Sequence, residues 1–159
     1  MVLERTRREL LAAGSSHIHY LDLVYGQVEN LSGYLAAAET AAFLYDLNVR
    51  NVLVNNGRVT GVIDVDETWY GDPLLAIGRG KCILLTMRED TDFITHWSQF
   101  LKLSDNQLTA VDFYALLYSF RFMGTLGQTL NGNYSLQTDP RTAPILTVIA
   151  DKLLERLKD

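Results

Sequence analysis

Asn51-Val-Leu-Val-Asn-Asn-Gly-Arg-Val-Thr-Gly-Val-Ile-Asp64 is the stretch on which the fold turns. Two β-branched runs, Val52 to Val54 and Val59 to Ile63, flank Asn55-Asn56-Gly57. Asn and Gly accept the positive φ that a tight turn demands, so the stretch reads as an antiparallel hairpin. Such a turn returns the chain beside itself. Asn51 at the first strand and Asp64 at the end of the second become neighbours at the open end, with Asp46 in the loop leading in.

Outward from the hairpin the pattern is helical. Upstream, Val2 to Ala13 carries Leu3, Leu10 and Leu11 at helical spacing and stops at Gly14-Ser15-Ser16, and the Ala- and Leu-rich segment from Ser32 to Phe43 reads as a second helix. His17 to Tyr25 has no periodicity that assigns it. Downstream, Asp72-Pro73 starts a helix over Leu74 to Met87, with Asp as the cap and Pro at the first helical position. A helix through Phe93 to Leu101 follows. Ser104-Asp-Asn-Gln107 is a capping box that opens a long amphipathic helix through Leu108, Val111, Ala115, Phe122 and Leu126. A last helix begins between Asp139 and Pro144 and carries Ile145, Ile149, Leu153 and Leu157. The expectation is one domain over residues 1–159, mainly α with a small β-hairpin.

Bulk composition narrows the classes. With 159 residues, 48% hydrophobic and 21% charged, the chain can bury one core. A net charge of -5 argues against nucleic-acid binding, which rests on clustered Lys and Arg. Cys82 is the single cysteine, so there is no internal disulfide and no thiolate cluster, and a cytoplasmic location is expected. No apolar run approaches the ~20 residues that span a bilayer, so no membrane partner is expected. His17, His19 and His96 lie at no zinc-site spacing. Phe113, Tyr114, Tyr118, Phe120 and Phe122 read as core, Cys82 as a buried thiol, and Gly124 and Gly127 as marks of close packing or a bend.

Asp46, Asn51 and Asp64 carry the chemistry. Phosphoryl transfer asks for hard oxygen ligands that hold Mg²⁺ on nucleotide phosphates, and for a carboxylate that orients and deprotonates the acceptor hydroxyl. Singly, Asp46 and Asn51 also read as turn formers, and Asp64 as a strand end. Asp66 and Glu67 beside Asp64 concentrate acid where a cation relieves it.

Asp46-Leu-Asn-Val-Arg-Asn51-Val-Leu-Val resembles the catalytic loop D-x-x-x-x-N of the aminoglycoside phosphotransferases and their choline-kinase-like relatives. Gly61-Val-Ile-Asp64-Val-Asp-Glu-Thr-Trp-Tyr-Gly71-Asp72-Pro73 resembles the family's metal-binding segment and the Gly-Asp-Pro that follows it. Together the two motifs cover Leu44 to Pro73. The resemblance implies the C-terminal lobe of a protein-kinase-like fold. It implies Asp46 as catalytic base, Asn51 and Asp64 as ligands of Mg²⁺ and, through it, of ATP, with Asp66 near enough to assist. Asp72 reads chiefly as structural, because its capping role already explains it.

The chain departs from the family pattern in places. His-Gly before the catalytic Asp is Leu44-Tyr45 here, and the loop's His-Pro-Gly is Asn48-Val49-Arg50. After Pro73, where the family often has an Asp, the chain runs Leu74-Leu75-Ala76. Nothing before Asp46 reads as the β-sheet lobe whose strand lysine pairs with ATP, and the first lysine is Lys81. The N-terminal β-lobe is therefore expected to be absent. The expected function is phosphoryl transfer from ATP to a small-molecule hydroxyl by a fragment or truncated form that needs an N-terminal lobe and is inactive alone. The alternative is a non-catalytic kinase-like module that binds a partner or ligand. Apolar surface left where another lobe docks also predicts self-association. A receiver-type phosphoacceptor would explain Asp64 and Asp66, but it needs repeated strand-helix units that this chain lacks.

Overall fold

A computed structural model of the chain describes residues 2–12, 14, 16–46, 49–129, 132–135 and 138–158. Among the described residues, seven helices and four short strands follow in order: α1 (Val2–Ala12), α2 (Tyr20–Asn30), α3 (Ser32–Ala37), β1 (Ala41–Leu44), β2 (Val52–Asn55), β3 (Arg58–Val62), β4 (Thr68–Gly71), α4 (Leu74–Met87), α5 (Asp92–Leu101), α6 (Asp105–Thr125) and α7 (Ala143–Arg156). Single 3₁₀ turns at Ser16–His19, Val49–Asn51 and Pro140–Thr142 join them. The chain is mainly helical, as its periodicity leads one to expect. The expected helical residue Ala13, the stop residue Ser15, and Asn48 of the loop lie outside the described residues.

α6 is the axis of the core. The capping box holds its start, where the Ser104 N–H donates to Gln107 Oε1 at 2.9 Å. The amphipathic reading applies only to its first turns. From Ala110 to Gly124 almost every residue is buried, because α4, α7 and α1 pack around it. A helix enclosed on several sides needs an apolar surface all round rather than a stripe.

The tightest approach is between α4 and α6. A Cβ on Gly78 would sit 2.4 Å from Tyr114 Cβ, 2.8 Å from Val111 O and 2.9 Å from Ala115 N. Gly124 has a similar, looser role, since a Cβ there would lie 3.1 Å from Glu9 Cβ of α1. Gly127 serves a turn instead, with φ +84° just past the end of α6.

The segment from Ser32 to Phe43 is not one helix: α3 ends at Ala37, and Ala41–Leu44 is a strand. β1 pairs antiparallel with β4 in the register Ala41↔Gly71 to Leu44↔Thr68. Pairing with a segment far along the chain overrides the local helix preference of an Ala-rich run. The unassigned stretch from His17 resolves into a 3₁₀ turn and the first part of α2.

Cys82 is fully buried in α4, and burial pushes its thiol up to about 12 from an ordinary value of 9.0. The native thiol therefore resists labelling by a disulfide reagent at pH 8, and reacts once urea unfolds the chain. An unfolded chain ionises this thiol from about pH 9 while the folded chain does not. The thiol thus leaves stability untouched at neutral pH and lowers it as pH rises toward 12. Native labelling as fast as unfolded labelling would contradict the packing of α4.

Candidate functional site

The β2–β3 hairpin is the expected one. Asn56 and Gly57 take φ of 50° and 73°, and the strands run from Val52↔Val62 to Asn55↔Arg58 with a register shift between Leu53 and Val54. The β1–β4 ribbon encloses this hairpin, so the chain between Leu44 and Thr68 is closed twice over.

Two backbone hydrogen bonds connect the loop entering the hairpin with the segment leaving it. The Tyr45 N–H donates to Glu67 O at 2.9 Å, and the Ile63 N–H donates to Asn51 O at 2.9 Å. Asp46 follows the first anchor and Asp64 follows the second. Within the loop, Asn51 Nδ2 donates to Asp46 O at 2.7 Å. That bond uses the amide nitrogen and leaves Oδ1 as the Asn51 atom suited to a cation.

Asp64 lies just beyond β3 in a left-handed conformation, φ +59°. Its side chain is exposed, yet its carboxyl is raised above the ordinary value. Loss of hydration contributes most, then the hydrogen bond and charge of Asp66 and the charge of Asp46, with Arg79 pulling the other way. Asp64 therefore lies within electrostatic reach of both Asp66 and Asp46. Among the described residues, no group of three or more His, Cys, Asp or Glu side chains is arranged to hold a metal ion. A cation at this site would rest on the mixed pair of the Asn51 amide oxygen and the Asp64 carboxylate, hard donors that suit Mg²⁺.

Arg79 was not foreseen. From α4 it forms an ion pair with Asp46 Oδ1, and its guanidinium lies 4.8 Å from the centre of the Tyr45 ring. Arg79 is only 7% exposed. Burial works to lower its pKa, but the hydrogen bond and charge of Asp46, together with Tyr45 and Tyr118, raise the pKa overall. The signal was available: a lone Arg between Gly78 and Gly80, in a helix otherwise rich in Leu, Ile and Ala, must face a counter-charge or water.

Tyr45, where the resemblance would place Gly, is a buried anchor. Its ring stacks on Trp69 of β4 at 3.9 Å between centroids, and its hydroxyl accepts from Tyr118 at 3.0 Å and Arg121 Nη1 at 2.6 Å. These contacts tie the loop to α6. Asp72 ties the end of β4 in the same way: Oδ2 accepts from the Tyr34 and Tyr114 hydroxyls at 2.7 and 2.9 Å, and Oδ1 accepts from the Leu74 N–H at 2.9 Å. Both tyrosines are pushed above their ordinary pKa, first by burial and then by the charge and hydrogen bond of Asp72. Asp72 is structural, as expected.

No family model, curated protein or solved structure matches the chain. Arg50 is exposed beside the loop. His17 contacts Thr147 and His96 contacts the Asp92 carbonyl, so those two serve separate helices. No helix among the described residues is long and apolar enough to cross a membrane.

Proposed function

We propose that this chain is the catalytic lobe of an ATP- and Mg²⁺-dependent phosphotransferase that moves the γ-phosphoryl group to a small-molecule hydroxyl. The observation that carries this reading is the double backbone tie, Tyr45 to Glu67 and Ile63 to Asn51, which holds Asp46 and Asp64 on neighbouring segments. In this reading Asp46 orients the acceptor hydroxyl and takes its proton. Asn51 and Asp64 hold Mg²⁺, and Asp66 supports the charge around it. Held by Asn51 and Asp64, Mg²⁺ would supply positive charge to offset that of the nucleotide phosphates. The exposed apolar residues of the hairpin, among them Leu53, Val54, Val59 and Ile63, offer a surface for a nucleotide-binding lobe or a second copy.

A second reading is favoured by one feature. Arg79 already neutralises Asp46, which suits a non-catalytic kinase-like module that binds a partner or ligand. Turnover separates the two. With Mg²⁺ and ATP, the full-length protein is expected to phosphorylate at least one member of a panel of amino-sugar, amino-alcohol and sugar acceptors. Asp46→Asn should lower kcat by about a thousandfold, as removal of a principal catalytic group does. Asp64→Asn keeps the left-handed conformation, which Asn tolerates, and should leave the fold intact while weakening the Mg²⁺ dependence. No nucleotide turnover across the panel would leave the non-catalytic reading standing, and full activity in both variants would remove Asp46 and Asp64 from the chemistry.

A further inference from the structure

On the other side of α4 from Asp46, α4, α5, α6 and α7 enclose a cleft of about 1060 Å³. This is slightly above the usual range for small-molecule sites, roughly 300–1,000 Å³. Its floor is apolar, formed by residues such as Leu85, Ile94, Val111, Ile145, Ile149 and Leu153. Its rim is not. Lys81, Arg88, Lys102, Lys152 and Arg156 all line it, against two acids, in a chain whose net charge is -5.

The acids are engaged by the fold. Asp112, 6% exposed, is held by Lys81 and by Arg156, the latter at 2.9 Å. Asp105 stands in the first turn of α6, where the helix end favours a negative charge. Three cations remain. Arg88, Lys102 and Lys152 form no ion pair among the described residues.

Two of these three have an unusual backbone. Arg88 and Lys102 cap the C-termini of α4 and α5 with φ of 59° and 54°. Glycine is the usual residue there, and a side chain costs about 1 kcal/mol in that conformation. The negative end of each helix favours a cation and offsets part of this cost. It does not account for both cations facing one apolar cleft. An apolar floor beneath unpaired cations matches a ligand with an apolar body and an anionic head.

We infer that the cleft between α4, α5, α6 and α7 binds a small amphipathic anion, an alkyl or aryl chain ending in a carboxylate or phosphate. The apolar body lies over Ile94, Ile145 and Ile149, and the head lies at the rim that carries Arg88, Lys102 and Lys152. The site is separate from the hairpin, because Arg79 and Lys81 lie about 200° apart around α4. It does not depend on the phosphotransfer reading.

The test titrates the full chain with decanoate, decyl phosphate, decanol and decyltrimethylammonium below their micelle concentrations, read by calorimetry and by amide chemical shifts. Decanoate or decyl phosphate is expected to bind at least about tenfold more tightly than decanol or decyltrimethylammonium, with shifts confined to the lining residues. The comparison of the two anions tells carboxylate from phosphate. The exposed double variant Arg88→Glu/Lys152→Glu should weaken the anions about tenfold and leave decanol unchanged. Val148→Asp, at a half-exposed position of the same cleft, should weaken all chain-bearing probes while the fold persists. Equal affinity for the anionic and cationic probes, shifts elsewhere, or light scattering that shows a dimer shielding these residues would each overturn the assignment.

Discussion

Replacing Gly78 by alanine should lower the stability of the chain by about 2–3 kcal/mol, although the same change inside most helices stabilises. Two effects compete. Alanine is the better helix former by about 1 kcal/mol, and α4 would gain that much. Against it, the new methyl would stand 2.4 Å from Tyr114 Cβ and under 3 Å from the Val111 carbonyl and the Ala115 nitrogen. Carbon atoms meet comfortably only near 3.5–4.0 Å. Two of the three obstacles are backbone of α6 and cannot rotate away. The helices must therefore part, and the Tyr114–Asp72 hydrogen bond lies next to the parting. Gly26 in α2 is the control, since a Cβ there meets nothing within 4 Å. Gly26→Ala should stabilise by about 0.5–1 kcal/mol. Urea midpoints for the two variants check the pair, and a Gly78→Ala chain as stable as the parent would refute the α4–α6 crossing.

The second large effect is an asymmetry across the Arg79–Asp46 pair. Asp46→Ala leaves a guanidinium with a side chain 9% exposed and no carboxylate beside it, and such orphaned charges cost about 3–5 kcal/mol. The Tyr45 ring 4.8 Å away retains part of the attraction, so about 3 kcal/mol is expected here. Arg79→Met leaves Asp46 instead, and that carboxylate, 26% exposed, can hydrate. Its loss should be about 1–2 kcal/mol. Combining both changes should restore much of what Asp46→Ala alone removes. Denaturation of the three variants measures this cycle. Equal losses for the two single variants would mean that Arg79 reaches water more easily than its packing implies. The same data qualify any loss of activity in Asp46 variants, because part of such a loss is structural.

The parts of the fold legible in the sequence are those with local causes. The turn at Asn56-Gly57, the capping box at Ser104 and the stop after Met87 each depend on residues a few positions apart. For the same reason, the approach of Asn51 to Asp64 follows from the hairpin alone. β1 was illegible because its partner Thr68–Gly71 is distant in sequence and its own Ala-rich composition favours a helix. The partner of Arg79 is not legible locally, because its counter-charge lies 33 positions away. Tyr45 stands out in the sequence only as a departure from a family pattern, while its stacking on Trp69 and its bonds to α6 are facts of packing. The sequence therefore indicates which residues gather at the candidate site more readily than what holds them there.

The nested strands also set an order of assembly. Joining β1 to β4 directly would require the whole intervening chain to be ordered at once, and the entropy of closing a loop rises with its length. The inner hairpin closes through a two-residue turn, in microseconds for such elements. Once formed, it shortens the span that β1 and β4 must bridge. Closure from the turn outward is thus the order that costs the least chain entropy, and the loop bearing Asp46 lies between the two closures.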